Sequence, residues 1–245
     1  MLQPLDPPGE PAPAAALISA LRLGAGAPPG RPYLYVNMVA TVDGRAAIDG
    51  RAKALGSDAD LEMLLALRDA ADAVLIGSGT LRAEGYARLV GRPERRAART
   101  AAGLAADPVA VLISRGLDLR WDAGLFADPE QPVLVYTRSA AEPPAVAAPL
   151  ELVRLPEPTP AAVLADLRAR GIRALLCEGG PHLNRSLLAA DLVDELFLTV
   201  SPVMTSDELQ PTIVAGGRLP EPSRLELRWV LRGGPDVFLR YAVAR

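Results

Sequence analysis

The sequence predicts an α/β fold with a mostly parallel central sheet, helices on both of its faces and a C-terminal antiparallel hairpin. Two observations predict it. First, short runs rich in β-branched residues (33–40, 72–77, 109–113, 131–137, 174–177 and 195–201) alternate with segments of helical apolar spacing. These runs are apolar at nearly every position, as in strands covered on both faces, and strands separated by helices pair in parallel. Second, the last two apolar runs, 225–231 and 237–243, flank Gly233-Gly234-Pro235-Asp236, a turn that suits an antiparallel hairpin.

Each element follows from local chemistry. Residues 1–32 carry eight prolines, so the first dozen are expected to lack order, and 14–23 to form one short helix on the domain surface. The core begins at Tyr33 with an apolar strand that runs into Thr41-Val42-Asp43-Gly44-Arg45. A polar loop follows, and Ser57 or Asp58 caps a helix over 59–71 whose apolar face is Leu61, Leu64, Leu65 and Leu67. The second strand breaks into Gly77-Ser78-Gly79-Thr80 and a helix start. Residues 91–107 hold Arg92, Arg95, Arg96 and Arg99, read as a solvated helix or loop. The third strand ends in Ser114-Arg115-Gly116 and the fourth in Thr137-Arg138. A short strand spans 150–155. Thr159 caps a helix that begins at Pro160. The strand 174–177 ends in Glu178-Gly179-Gly180-Pro181, and a further helix begins there. The boundaries are thus an N-terminal extension, 1–32, and one domain, 33–245.

Composition narrows the function classes. The 245 residues are half hydrophobic, and their net charge is −3. Lys53 is the single lysine among 26 basic residues, a skew typical of a GC-rich genome. The 29 acidic residues balance the basic ones, so no nucleic-acid-binding field is expected. One cysteine, Cys177, excludes an internal disulfide and a cysteine-built zinc site, and one histidine, His182, leaves little material for a metal centre. No metal is expected. No apolar run reaches the ~20 residues of a membrane span, and no secretory signal is visible, which places the chain in the cytoplasm. Cys177 reads as core, and His182 as a surface or capping residue.

The chemistry-bearing residues follow strands. Asp43, Thr80, Ser114-Arg115 and Glu178-Gly179-Gly180 all sit at carboxyl ends, where open parallel sheets bind ligands. Glycine turns that open helices let a phosphate approach backbone N–H groups, and Arg grips a phosphate monoester with two hydrogen bonds. Two glycine turns and one Ser-Arg pair suit a dinucleotide with a pyrophosphate and an extra phosphate, NADP rather than NAD. No G-x-G-x-x-G follows the first strand. Asp43-Gly44 also fits a plain chain reversal.

Three segments carry a resemblance: residues 36–45 (VNMVATVDGR), 67–80 (LRDAADAVLIGSGT) and 178–184 (EGGPHLN). Together, in order and at these spacings, they resemble the riboflavin-biosynthesis pyrimidine reductase family, the reductase half of the bifunctional deaminase-reductase, here as a standalone, actinobacterial-type member. The resemblance covers about residues 33–243 and implies a dihydrofolate-reductase-like fold. It also implies NADPH-dependent reduction of 5-amino-6-(5-phosphoribosylamino)uracil to the ribitylamino compound. Carried over by position, it assigns Thr80, Ser114, Gly180, Pro181, His182, Leu183 and Asn184, on to Ser186, to the cofactor, joining Arg115 and Gly179 from the turns read above, and sets Val39, Asp43 and Glu84 beside the cofactor or the reacting sugar. It places Ser57, Arg68 and Glu178 at the substrate, with Asp43 and Glu178 as the catalytic pair. Asp43 would orient or protonate the reacting sugar. A homodimer is implied, with the strands 195–201 and 237–243 as its interface.

The chain departs from the family pattern at Glu84-Gly85-Tyr86, where two acidic residues and a proline are usual. It departs again at Met204-Thr205-Ser206, where a glycine is common. The zinc deaminase half is absent. Two alternatives stand beside the main reading: a dihydrofolate or other pterin reductase, and a non-catalytic NADPH-binding regulator.

Overall fold

A computed structural model describes residues 1–244. In chain order, β1 (Gln3–Asp6), α1 (Ala14–Leu21), β2 (Tyr33–Thr41), α2 (Asp58–Asp69), β3 (Ala73–Gly77) and α3 (Ser78–Glu84) come first. Next are α4 (Pro93–Ala101), β4 (Val109–Ile113), α5 (Gly124–Ala127), β5 (Val133–Thr137), β6 (Leu150–Arg154) and α6 (Pro160–Ala169). The chain finishes with β7 (Ala174–Cys177), α7 (Pro181–Ala189), β8 (Glu195–Ser201), β9 (Leu225–Gly233) and β10 (Asp236–Val243). These elements form two compact units, one of Met1–Arg22, Leu34–Leu67 and everything from Cys177 onward, the other of Leu23–Tyr33 and Arg68–Leu176.

In the first unit the strands lie in the order β1-β9-β10-β8-β2. β2 and β8 run parallel, with Thr41 opposite Ser201. β10 is antiparallel to β8 and to β9. Phe197, Trp229, Leu231 and Phe238 are buried, and Phe197 meets Trp229 edge-on at 5.9 Å. β1 extends this antiparallel run by pairing with β9, Gln3 opposite Arg232 and Pro4 opposite Leu231.

That pairing corrects the expectation that the first dozen residues lack order. Leu2, Ala14 and Ile18 are buried, and the Leu2 and Ala12 backbones exchange two hydrogen bonds. Pro4 fits because β1 is an edge strand, where a missing N–H takes nothing from the ladder. The apolar face of α2 also differs from expectation. Met63, Ala66 and Leu67 are buried while Leu61 is exposed, so the helix turns Met63 rather than Leu61 to the core.

In the second unit the order is β7-β3-β4-β5-β6, and β3, β4, β5 and β6 are parallel neighbours. Val74, Leu75, Ile76, Val111, Leu112, Val135 and Tyr136 are buried, which is why these runs carry no polar alternation. Thr159 caps α6 through its hydroxyl, which accepts from the Ala162 N–H.

The arginines of α4 are not a solvated face. Arg99 is 2% exposed. Its guanidinium donates to Arg68 O at 2.7 Å and Asp69 O at 2.8 Å, and to Ala105 O at 3.0 Å and Ala106 O at 3.2 Å. Arg99 therefore ties the C-terminus of α2, where carbonyls lack helical partners, to the loop after α4. Arg95 pairs with Asp69 at 2.5 Å, and Arg96 donates to Val90 O and Gly91 O. Replacing Arg99 by Met strands carbonyls of both segments, so Arg99→Met is expected to lower stability by about 3 kcal/mol. Arg96→Met, at a half-buried position whose carbonyl partners Val90 and Gly91 belong to a single loop, should cost less, about 1 kcal/mol. Urea unfolding of both variants checks the contrast.

Candidate active site

In the first unit the parallel register brings the loop after β2 beside the loop after β8. The Val42 N–H donates to Val203 O at 2.9 Å. Thr41 turns the chain tightly, its hydroxyl oxygen accepting from the Arg45 N–H at 2.8 Å, and Gly44 supplies the positive φ of +85° that this reversal needs. Asp43 projects from the turn. Its carboxylate accepts from the Ser206 N–H at 2.7 Å and the Thr205 N–H at 3.3 Å. Hydrogen bonds from the Thr41 hydroxyl and these two backbone donors hold the Asp43 carboxyl down at about 2. Asp43 is therefore ionised at neutral pH and clasps the loop after β8. It can orient a ligand, but it carries no proton to give.

Ser57 is the N-cap of α2: its hydroxyl oxygen accepts from Ala59 N at 3.1 Å and Asp60 N at 3.2 Å. The same hydroxyl donates to Asp236, so it is committed within the protein. Asp236 is 1% exposed, and burial together with Asp236 pushes the Asp60 carboxyl up, against a hydrogen bond from Thr199. No local pattern announces this Ser57–Asp60–Thr199–Asp236 cluster, because its members come from three stretches far apart along the chain.

The turn after β7 holds Glu178, which is buried, and Gly179 with φ +73°. A Cβ on Gly179 would lie 2.9 Å from Met38 Sδ, so glycine answers both to the backbone angle and to the approach of β2. The Gly179–Gly180 peptide is cis. α7 then opens with Pro181 at its first position and no side-chain cap. Its first helical hydrogen bond runs from Asn184 N to Gly180 O, leaving the His182 and Leu183 N–H groups outside the ladder as anion donors.

Side chains along α7 have structural duties. Asn184 is buried, donates to Ile213 O at 2.9 Å and accepts from the Cys177 thiol at 3.6 Å. Burial pushes that thiol up to about 12, in keeping with a core cysteine. Ser186 donates to His182 O at 3.0 Å. Arg185 donates to Gly217 O and Arg218 O, and the Ala215 N–H to Pro181 O. Residues 211–218 thus strap across the start of α7. Gly216, at φ +98°, lies against the His182 ring where a Cβ would collide. The strap is absent from the sequence reading, although adjacent glycines at 216 and 217, both at positive φ, accompany it. Val39 is half-buried on β2.

In the second unit α3 starts directly after β3 at the uncapped Gly77. Thr80 lies in its first turn and Glu84 at its end, before the left-handed Gly85. The register Gly77–Ile113 sets Ser78 level with Ser114 at adjoining strand ends. Ser114 is buried and donates through its N–H to Tyr136 O at 2.9 Å. Arg115 is exposed and pairs with Glu157 at 3.3 Å. Arg68, expected at a substrate phosphate, donates to Leu89 O at 3.1 Å and lies 5.6 Å from the Tyr86 ring centroid. Tyr86, one of the departures from the family pattern, therefore shelves that guanidinium.

The depressed Asp43 value gives a pH prediction. A carboxyl lowered from 3.8 to about 2 favours the clasped state above its unfolded value and loses that contribution as pH falls through the folded one. Carboxyl 13C resonances should show Asp43 titrating near 2, and activity should have no limb from Asp43 between about pH 5 and 8. A midpoint above 4 would contradict the clasp.

The family model described as the RibD C-terminal domain matches residues 32–239. A 2,5-diamino-6-ribosylamino-4(3H)-pyrimidinone 5′-phosphate reductase from Archaeoglobus fulgidus is 28% identical, over 80% of this chain and 92% of its own length. A protein of the same name from Methanothermobacter thermautotrophicus is 28% identical over 87% of this chain and 99% of its own. In fold, a pyrimidine reductase-like protein from Corynebacterium diphtheriae matches with a TM-score of 0.79 at 24% identity, over 96% of this chain and all of that one. These relatives are named as reductases, and the chain belongs to the RibD C-terminal domain family.

Proposed function

We propose that the chain is an NADPH-dependent reductase that converts 5-amino-6-(5-phosphoribosylamino)uracil to the ribitylamino compound. The observation that carries this reading is the uncapped start of α7 behind Glu178, in a chain of the RibD C-terminal domain family. Each unit by itself offers groups suited to part of a dinucleotide. Glycines at 179 and 180 leave the backbone open, two N–H groups face outward from α7, and Arg115 supplies a phosphate-matching guanidinium. When bound, the nicotinamide supplies a hydride to C1 of the ring-opened sugar.

The chain's own residues position the partners. We assign Val39, Glu84 and the segment from Gly179 to Asn184 to the cofactor, together with Thr80, Ser114 and Arg115. For Asn184 the assignment rests on its backbone, since its side chain is engaged elsewhere. Glu178 accepts hydrogen bonds from pyrimidine N–H or amino groups. Arg68 attends the substrate phosphate, and Ser57 contacts the substrate through its backbone. Asp43 orients, and another group delivers the proton. Orientation alone accounts for several kcal/mol of such a barrier. Residues 33–245 carry this activity. No helix among the described residues is long and apolar enough to cross a membrane, and we place the enzyme in the cytoplasm.

The names of the archaeal relatives favour a second reading of the substrate, a pyrimidinone that keeps its 2-amino group. A carboxylate such as Glu178 takes a paired N–H and amino edge with both oxygens, whereas a uracil edge offers one donor between two carbonyls. Oxidation of NADPH, followed by loss of its absorbance, is expected with the deaminated uracil. Faster turnover of the 2,5-diamino compound would reassign the substrate. Turnover of dihydrofolate alone would make the chain a pterin reductase, and NADPH binding with no turnover a regulator. Asp43→Asn should cut turnover at least tenfold while leaving NADPH affinity within about twofold.

We further propose a homodimer through one face of β8 and β10. Leu196, Leu198 and Val200 stand opposite Tyr241, Leu239 and Val237, and all six are half-exposed. Both strands are paired along both edges, so a face rather than an edge is offered. Leu198→Glu is expected to yield monomers by light scattering. An unchanged dimer mass would exclude this face.

A further inference from the structure

The carboxyl ends of β4, β5 and β6 bring together three charges, of which the proposed function uses one. These strands are parallel neighbours in register, Ile113 opposite Tyr136 and Thr137 opposite Arg154. Arg115 follows β4, Arg138 follows β5 and Glu157 follows β6. One Glu157 carboxylate oxygen lies 3.3 Å from Arg115 Nε and the other 3.9 Å from Arg138 Nη1. The three side chains are 66, 59 and 51% exposed, so two guanidiniums share one carboxylate at the surface and leave a net positive charge.

The backbone beneath these heads is fixed. The Thr137 hydroxyl donates to Arg115 O at 3.1 Å and accepts from Ser139 N at 3.0 Å. Leu155 N donates to Thr137 O at 2.9 Å, and Thr159 N to Glu157 O at 2.9 Å. The third nearby cation, Arg154, is engaged by Glu142 at 2.7 Å and by the Ser139 and Ala141 carbonyls. Two cations thus rise from rigid roots with heads that can rearrange in solvent. A carboxylate offers them one charge and two oxygens, whereas a phosphate monoester offers two charges and three oxygens in the geometry that guanidinium forks match.

We propose that Arg138 joins Arg115 in a two-guanidinium fork for a phosphate monoester, the 2′-phosphate of NADPH, and that Glu157 is the counter-ion this phosphate displaces. The proposal rests on the reading of the chain as an NADPH-dependent enzyme and assigns its cofactor choice. Arg138 raises the preference for NADPH over NADH. Glu157 lowers it, both by holding the cations and by accepting from the ribose hydroxyl that NADH presents in place of the phosphate.

The test is calorimetric titration of the full chain with adenosine 2′,5′-bisphosphate and 5′-AMP, and with NADPH and NADH. Arg138→Gln is expected to weaken the bisphosphate and NADPH about tenfold while 5′-AMP and NADH stay within about twofold. Its bisphosphate affinity should also fall less steeply with salt. Arg138→Lys should recover part of the loss, and Glu157→Gln should tighten the bisphosphate several-fold. Equal loss for both nucleotides in Arg138→Gln, or no loss, overturns the fork while NADPH binding by the parent chain keeps the enzyme reading intact. A parent chain that binds neither NADPH nor NADH overturns that reading, and the fork with it.

Discussion

Parallel pairing is the constraint on which the rest of the molecule depends. A parallel strand cannot be joined to its neighbour by a tight turn, so each needs a crossover, and all carboxyl ends in a parallel set face the same way. In the first unit that constraint sets the loop after β2 against the loop after β8. In the second it lines up the segments after β3, β4, β5 and β6. Apart from Val39, Ser57, Arg68 and Glu84, the residues proposed for ligands lie in the turn or first helical turn that follows a strand.

The antiparallel part answers a different need. β10 covers the edge of β8, β9 covers β10, and β1 covers β9, so the unpaired backbone of each strand is met by the next. That explains why a proline-rich N-terminus is ordered: Leu2 is buried, and the edge of β9 supplies hydrogen bonds that an isolated segment of such composition cannot make. The same need explains α4, where Arg99 satisfies carbonyls at a helix end instead of facing water.

Strands and helices with strong apolar periodicity were legible, since their signal is local: residues 109–113 and 174–177 admit few readings other than buried strands. β1 was not legible, because its stability lies in a partner more than 200 residues away along the chain. The face of α2 was misread because four leucines gave a plausible stripe, while the packing selected Met63. Within the site, the identity of the turn residues was legible and their state was not. Asp43 reads as a candidate acid from sequence. The Thr41 hydroxyl and the backbone donors of Thr205 and Ser206, the latter two placed beside it by the register of β8, make it a clasp that stays ionised well below the ordinary carboxylate range.

That outcome generalises across the site. Asp43 holds the loop after β8, Ser57 caps α2, Asn184 ties α7 to Ile213, and Ser186 bonds back along its own helix. The short polar side chains that a sequence reader assigns to ligands are instead committed to fixing the loops. In the function we propose, cofactor recognition then draws on groups outside these ties, among them the N–H groups of His182 and Leu183, which precede the first helical hydrogen bond of α7, and the exposed guanidinium of Arg115. Backbone donors held in this way need no rearrangement when a ligand arrives, which is the condition under which positioning alone lowers a barrier. The hydride transfer we propose asks for little more than that, and polar side chains committed to structure are suited to supply it.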